Sequence, residues 1–387
     1  MTKLISILGS TGSVGLNALK ILDKKKNFKV NLLLANKNYK LICKQIKKYN
    51  PKLFVINDYK VFRRVKNKFK NRGNTIKNDL SSIKSLSKSD ITLSAISGFA
   101  GLGPTIVMIS HSKNLLIANK ESIICGWDII RRDSKKNKTN LIPVDSEHFA
   151  ISKLLENHKM NDIKKIYLTA SGGPFLNYKK KQLKKIKPQS ALKHPKWKMG
   201  KKISIDSSTL MNKILELIEA QKLFQIPRNK IDILIHPNSL VHAIITLNNG
   251  LTKFIYHETS MIVPLANAML DGKLNIEDFY KTKNKNYFEN LIFKSVDKKV
   301  FPVINIKNKV NEYPSSSIII NATNEILVDQ FLKKKIPFLG ISKLIMAILK
   351  DRNYRKYAIK RPKNINQINE IDIWARKTTE KNIETKL

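Results

Sequence analysis

"LISILGSTGSVG", residues 4–15, runs from an apolar pentad into Gly9, Gly12 and Gly15, spaced three apart. The pentad reads as a buried strand and the residues after Gly12 as the start of a helix. Glycines at such a turn permit a tight bend, let backbone N–H groups approach a pyrophosphate, and let helix and strand pack closely. The spacing is GxxGxxG rather than the commoner GxGxxG, so the context carries the reading: first strand into first helix of a βαβ unit. It favours a dinucleotide-binding fold over a plain tight turn.

Outward from that loop, residues 1–145 alternate short apolar runs with helical stretches. The runs "LISIL", "VNLLLA", "LFVIN", "DITLSAIS", "NLLIAN" and "NLIPV" are apolar throughout, as in strands buried on both faces of a parallel sheet. A Rossmann-like α/β domain is expected there. Its second strand ends in Asn36-Lys37-Asn38, with no acid to bind a ribose hydroxyl. A cation at that place attracts a 2′-phosphate, so NADP(H) is favoured over NAD; the competing reading is that Lys37 is one lysine among many.

Residues 146–275 change character. A helix "SEHFAISKLLE" and a strand "KIYLTAS" precede a Gly/Pro/Lys-rich stretch at about 172–202, too long for an ordinary connector and expected to be a lid. A helix from about Thr209 to Phe224 follows, with Ser207, Ser208 or Thr209 available to cap it. The strands "VHAIITL" and "LTKFIYH" flank Asn248-Asn249-Gly250, a hairpin signal. The second domain is therefore expected to be α+β. Residues 276–312 read as a linker, and 313–387 as a helical bundle with a structural role.

The chain of 387 residues carries 73 Lys and Arg against 29 Asp and Glu, a formal charge of +44. Such a balance ordinarily suggests nucleic acid or an anionic membrane. The lysines are scattered over the whole length, however, and rise together with Asn and Ile, as codon bias in an AT-rich gene would produce. No basic motif interleaved with aromatics is present, so no specific nucleic-acid partner is expected. No apolar run approaches the ~18 residues of a membrane span. Cys43 and Cys125 lack metal or redox spacing, and strand-like sequence begins at once, so a cytoplasmic protein without a leader is expected.

Against that charge, "IPVDSEHF" (142–149) sets Asp145 and Glu147 one residue apart after a sheet strand, where open α/β folds bind ligands. In a continued extended segment both side chains point the same way, and a hard divalent cation relieves their repulsion. Capping of a helix is the plainer alternative. In "MNKILELIEA", Asn212, Glu216 and Glu219 share one helical face, offering a third acid or else a solvated surface. Ser171 in "TASGGPF", with Ser207, Ser208, Asn212 and Lys213 in "IDSSTLMNK", suits a phosphate. Between them "ALKHPKWKMGKK" supplies His194, Trp197 and Met199, as a basic lid over a phosphorylated substrate and a nicotinamide; an exposed turn is the alternative for His194.

These segments, with "ANKES", "IHPNSLVH" and "NATNEI", are similar in kind and order to the 1-deoxy-D-xylulose 5-phosphate reductoisomerase family, and they cover nearly the whole chain. The resemblance implies a homodimer that rearranges a phosphorylated ketose and reduces the aldehyde with NADPH to 2-C-methyl-D-erythritol 4-phosphate. It implies Mg²⁺ or Mn²⁺ on Asp145, Glu147 and Glu216, and a phosphate on Ser171, Ser207, Asn212 and Lys213 near His194. Ser146 and Lys120 would contact the substrate and Trp197 would cover it. Thr11, Gly12, Ser13 and Val14 would hold the pyrophosphate, and Asn36, Lys37 and Asn38 the 2′-phosphate. Asn119, Glu121 and Met199 would line the nicotinamide side. Lys120, Glu147, His194 and His242 are the expected catalytic set. Departures from the family pattern are Ile214 for Gly, expected to bear on Glu216; Phe99 for a small residue; and Ile262 for Arg in "YHETSMIVP". An NADP-dependent oxidoreductase without rearrangement is the runner-up, distinguished by indifference to metal. A basic binding protein that has lost catalysis would show damaged acids, whereas all three are present.

Overall fold

The computed structural model describes residues 2–71, 73, 75–197, 199–281 and 291–386. The chain divides into two compact units: Met1–Ser122, Asp128–Asp145 and Met261–Lys283 in the first, and Ile123–Trp127, Ser146–Ser260 and Asn284–Leu387 in the second. Part of the expected linker, 282–290, lies outside the described residues.

In the first unit, seven strands form one sheet in the order β4-β3-β2-β1-β5-β6-β7. They are β1 (Lys3–Leu8), β2 (Phe28–Ala35), β3 (Leu53–Ile56), β4 (Thr75–Lys77), β5 (Ser89–Ser94), β6 (Ser112–Ile117) and β7 (Asn140–Pro143). All neighbours pair in parallel. The continuous apolar runs serve two faces, because successive side chains alternate. Ile5, Ile7, Leu33, Phe54, Ile56 and Leu93 enter one buried cluster, while Leu8, Leu32, Leu34, Leu53 and Val55 enter the other.

The crossovers are α1 (Ser13–Asp23), α2 (Tyr39–Tyr49), α3 (Tyr59–Lys68), α4 (Leu102–Ile109) and α5 (Lys120–Asn137). Helix α2 shows how sequence sets an element: Asn38 caps it by accepting from Leu41 N at 3.2 Å. Ile42, Cys43 and Ile46 face inward, and Asn50 ends it in a left-handed conformation, φ 43°. Helix α5 is broken at Gly126, φ −123° and ψ 16°.

The second unit has a mixed sheet in the order β11-β10-β8-β9-β12, with β8 (Ile163–Ala170), β9 (Ile231–Ile235), β10 (Val241–Leu247), β11 (Thr252–Tyr256) and β12 (Lys294–Ser295). The Asn-Gly hairpin forms as expected: Gly250 takes φ 88° and β10 pairs antiparallel with β11. Helices here are α6 (Ser146–Leu155), the short α7 (Lys180–Leu183) and α8 (Pro188–Ala191), α9 (Lys201–Ser208) and α10 (Met211–Phe224).

Helix α11 (Ile262–Leu270) returns to the first unit, where Ile262, Leu265, Ala266 and Met269 join its core. Helices α12 (Ser316–Leu332), α13 (Phe338–Ile348), α14 (Tyr354–Ala358) and α15 (Ile365–Lys386) complete the second. Strand β4 and helix α14 were not legible in the sequence, being too short to show a period.

One local expectation is overturned. Ser207 and Ser208 do not cap a helix; they end α9, where Ser208 Oγ donates to Ile205 O at 2.8 Å. The chain then turns through Leu210 in a left-handed conformation, φ 67°, before α10 starts at Met211. Of the three hydroxyls only Thr209 accepts an amide of the next helix, Met211 N at 3.3 Å. Helix α6 begins at Ser146, as the helical reading of "SEHFAISKLLE" expected, and puts Glu147 in its first turn; of the two readings left open for "DSEH", the helix start is the one that forms.

Candidate active site

The glycine loop needs its glycines. Gly9 has φ +84°, and a Cβ there would lie 2.6 Å from Ala95 O. At Gly15 a Cβ would lie 2.4 Å from Gly9 O, so the third glycine lets α1 start against the loop. Gly12 caps α1 without a side-chain bond, and Thr11, Ser13 and Val14 lie at that N-terminus, whose first amides and dipole favour an anion. Sequence reading missed Gln45: its Oε1 accepts from Ser10 Oγ at 2.7 Å and its Nε2 donates to Ser10 O at 2.9 Å. Both residues are buried, so α2 clamps the loop. Asn36 and Lys37 follow β2, beside the Asn38 cap.

Asn119 caps α5, accepting from Ser122 N at 2.7 Å and donating to Gly98 O and Glu121 Oε2, each at 3.0 Å. A Cβ on Gly101 would meet its side chain at 3.0 Å. Asn119 and Glu121 are thus one buried constellation. Lys120, next along, pairs with Asp145 at 2.8 Å. Phe99 opens a short turn, Phe99–Gly101, just before α4.

In the second unit, Lys213 holds two acids at once. Its ammonium bonds Glu147 Oε1 and lies 2.5 Å from Glu216 Oε2. Asn212 donates to the other Glu216 oxygen, and Ser146 Oγ donates to Glu147 Oε2 at 2.6 Å. The carboxylates of α6 and α10 therefore converge within reach of one cationic centre. Glu216 and Glu219 are buried, which overturns the solvated-face alternative. His148, buried beside Glu147, has Nε2 2.9 Å from Glu216 O and Nδ1 3.3 Å from Glu219 Oε2. It ties α6 to α10 and was missed in the sequence, although it follows Glu147 directly. Ile214 is fully buried in the core and leaves Glu216 on Lys213.

Beside the acids lies an anion-type grip. A Cβ at Gly173 (φ +61°) would lie 3.0 Å from Ser207 O, so the Ser171–Gly173 turn rests on the end of α9. Ser171 Oγ accepts from Gly173 N at 3.1 Å and lies 2.9 Å from His194 Nε2. His194 Nδ1 accepts the amides of Lys196 and Trp197 at 3.1 and 2.9 Å, so the ring proton is on Nε2 and points at Ser171. With both acceptor positions used, the Ser171 hydroxyl keeps its own proton for an anion. Burial first, and then the charge of Lys213, push His194 down to about 4; it is a neutral donor, half-buried rather than on an exposed turn.

Trp197 packs edge-on to His242, ring centroids 6.2 Å apart. His242 stacks on His257 at 3.8 Å and has Nε2 3.1 Å from His257 O. Burial lowers His257 to about 4, opposed by its bond to Glu258 O. His257 is a further residue the sequence did not single out. Met199 lies half-buried between Trp197 and α9 along the chain.

Three family descriptions match: 1-deoxy-D-xylulose 5-phosphate reductoisomerase over residues 5–126, the C-terminal domain of that reductoisomerase over 141–224, and a DXP reductoisomerase C-terminal domain over 258–378. A 1-deoxy-D-xylulose 5-phosphate reductoisomerase of Pelagibacter ubique (strain HTCC1062) is 45% identical over 378 residues, 96% of this chain and 97% of that protein. One from Wolbachia sp. subsp. Drosophila simulans (strain wRi) is 39% identical over 348 residues, 89% of each. A crystal structure of DOX-P reductoisomerase with NADPH, fosmidomycin and magnesium aligns with TM-score 0.92 at 30% identity, covering 99% of this chain and 98% of that one. The Zymomonas mobilis enzyme with NADPH aligns at 0.88 and 30%, covering 99% and 100%.

Proposed function

The chain belongs to the 1-deoxy-D-xylulose 5-phosphate reductoisomerase family, and from that premise we propose how its residues divide the work. It is an NADPH-dependent oxidoreductase of isoprenoid precursor biosynthesis, converting 1-deoxy-D-xylulose 5-phosphate to 2-C-methyl-D-erythritol 4-phosphate with a divalent cation.

The observation that carries the assignment of roles is Lys213 joining Glu147 to Glu216. Two carboxylates that meet on one ammonium, with Asp145 two residues before Glu147, offer an oxygen-only donor set, which suits a hard cation such as Mg²⁺ or Mn²⁺. Asp145, Glu147 and Glu216 are the proposed ligands. When bound, the cation supplies Lewis-acid stabilisation of the negative charge that develops on substrate oxygens, and NADPH supplies the hydride.

The protein's own groups bind and orient. Ser171 donates its hydroxyl proton to the phosphate and is itself held by His194; Ser207, Asn212 and Lys213 complete the grip. Lys120 and Ser146 contact the hydroxyl and carbonyl oxygens along the ketose backbone. Trp197, backed by His242, closes over the carbon chain and excludes water. Thr11, Gly12, Ser13 and Val14 receive the pyrophosphate at the start of α1; Asn36, Lys37 and Asn38 take the 2′-phosphate. Asn119, Glu121 and Met199 flank the nicotinamide.

A homodimer and a cytoplasmic location belong to the same proposal. Strand β11 is an outer strand of its sheet; it exposes Phe254, and Leu251 just before it is exposed as well, as an edge that pairs with a second copy would. Among the described residues no helix is long and apolar enough to cross a membrane. The deciding assay follows NADPH consumption with 1-deoxy-D-xylulose 5-phosphate, with and without a chelator. Absence of turnover by folded protein, or turnover indifferent to the chelator, would refute the reading.

A further inference from the structure

We propose that Asn324 is a positioning residue for the phosphate grip, acting from α12 through Asp206 on the helix that presents Ser207. The proposal rests on the reading of Ser207 as a phosphate ligand. It gives a task to the segment Asn321-Ala322-Thr323-Asn324-Glu325, for which sequence reading expected a structural role alone.

Asn324 is fully buried, and its Nδ2 donates to Asp206 Oδ1 at 2.7 Å. Asp206 is 1% exposed, and its other oxygen takes Lys202 Nζ at 2.9 Å. Both carboxylate oxygens are therefore committed. The Lys202 bond lies within α9, whereas the Asn324 bond carries Asp206 to a different element, α12. Ser207 is the next residue.

Two further features make the position of α9 matter. The Ser171–Gly173 turn rests on the backbone of Ser207 and Ser208, with a Cβ at Gly173 only 3.0–3.1 Å from it. A shift of α9 thus moves both proposed phosphate hydroxyls together. Immediately after, Leu210 holds a left-handed conformation, φ 67°, which a residue with a side chain keeps only when its surroundings enforce it. That elbow sets α10, with Asn212 and Lys213, against α9.

Helix α12 is a firm support. Glu325 pairs with Arg376 at 2.6 Å and Thr323 meets Thr379 Oγ1 at 3.2 Å, both on α15. Asn324 Oδ1, by contrast, is buried with no hydrogen-bond partner among the described residues. A buried orphan acceptor costs stability, so an apolar residue would serve a packing role better. Its donor directed at Asp206 is the feature that explains an amide here.

The test compares Asn324→Ala, the exchange Asn324→Asp with Asp206→Asn, and Ser207→Ala, measuring KM for 1-deoxy-D-xylulose 5-phosphate, kcat and NADPH Kd. Asn324→Ser replaces Asn324→Ala if the latter is unfolded. Loss of the bond is expected to raise KM about tenfold, the scale of one hydrogen bond to a charged group. NADPH Kd should stay within about twofold, and the exchange should recover most of the KM, since it keeps a bond with donor and acceptor reversed. An unchanged KM, a KM that rises in step with NADPH Kd, or a folded exchange variant without recovery overturns the proposal. If Ser207→Ala leaves KM unaltered, the phosphate reading itself fails. If Ser207→Ala raises KM and the Asn324 variants do not, only the positioning role fails.

Discussion

The Nε2 of His194 lies 2.9 Å from the hydroxyl of Ser171, and the other ring nitrogen is saturated by two backbone amides. This imidazole is built to stay neutral, because its Nδ1 lone pair is occupied as an acceptor and protonation would turn that nitrogen into a donor facing two donors.

A pH dependence of stability follows. His194 and His257 are both pushed from 6.5 to about 4, chiefly by burial. Between those values the unfolded chain binds protons that the folded chain does not. The contribution is fully present above about 6.5 and is lost as pH falls towards 4. The urea midpoint should therefore drop from pH 7 to pH 5, and His194→Gln together with His257→Phe should flatten the slope. A wild-type midpoint that holds steady or rises on acidification contradicts the assignment.

The convergence of Glu147 and Glu216 on Lys213 predicts separable losses. Glu147→Gln or Glu216→Gln should lower kcat by roughly 10²-fold or more, the scale of losing a key electrostatic stabiliser. NADPH affinity should remain, since the glycine loop lies in the other unit. A chelator should abolish turnover and leave NADPH fluorescence titrations unchanged. Loss of NADPH binding in these variants would count against the metal role.

At the glycine loop, Gly15→Ala must displace Gly9 O, 2.4 Å from the added Cβ. Gln45→Leu removes both bonds to Ser10 and leaves buried polar groups unpaired. Each should raise NADPH Kd about tenfold or more, with Mg²⁺ affinity intact; equal NADPH binding in either variant would show that the loop does not depend on that support.

Ile214 occupies a fully buried position, so its bulk belongs to the core. Ile214→Ala should cost about 2–5 kcal/mol of unfolding free energy without raising kcat. A variant that gains activity would mean that the isoleucine does displace Glu216.

Much of this was legible along the chain, and the rest was not, for definite reasons. Apolar runs without alternation marked strands covered on both faces, and Gly9, Gly12 and Gly15 marked the strand-to-helix turn, because both depend on neighbours a few residues apart. Asp145 and Glu147 were visible as a pair of acids, and the helix from Ser146 was legible too, but "DSEH" alone left a capped helix start and an extended metal-binding segment both open. Ser207 looked like a cap because hydroxyls precede an apolar period; instead α9 ends there, and Leu210 makes the turn under constraint from its surroundings. Residues distant in the chain came together only through packing: Lys213 on Glu147, Gly173 against Ser207, Asn324 on Asp206, Gln45 on Ser10. Local periodicity dictates which side chains share a face of one helix or strand. Which faces meet is settled by long-range burial of apolar surface, and that burial carries the polar partners to within hydrogen-bonding distance.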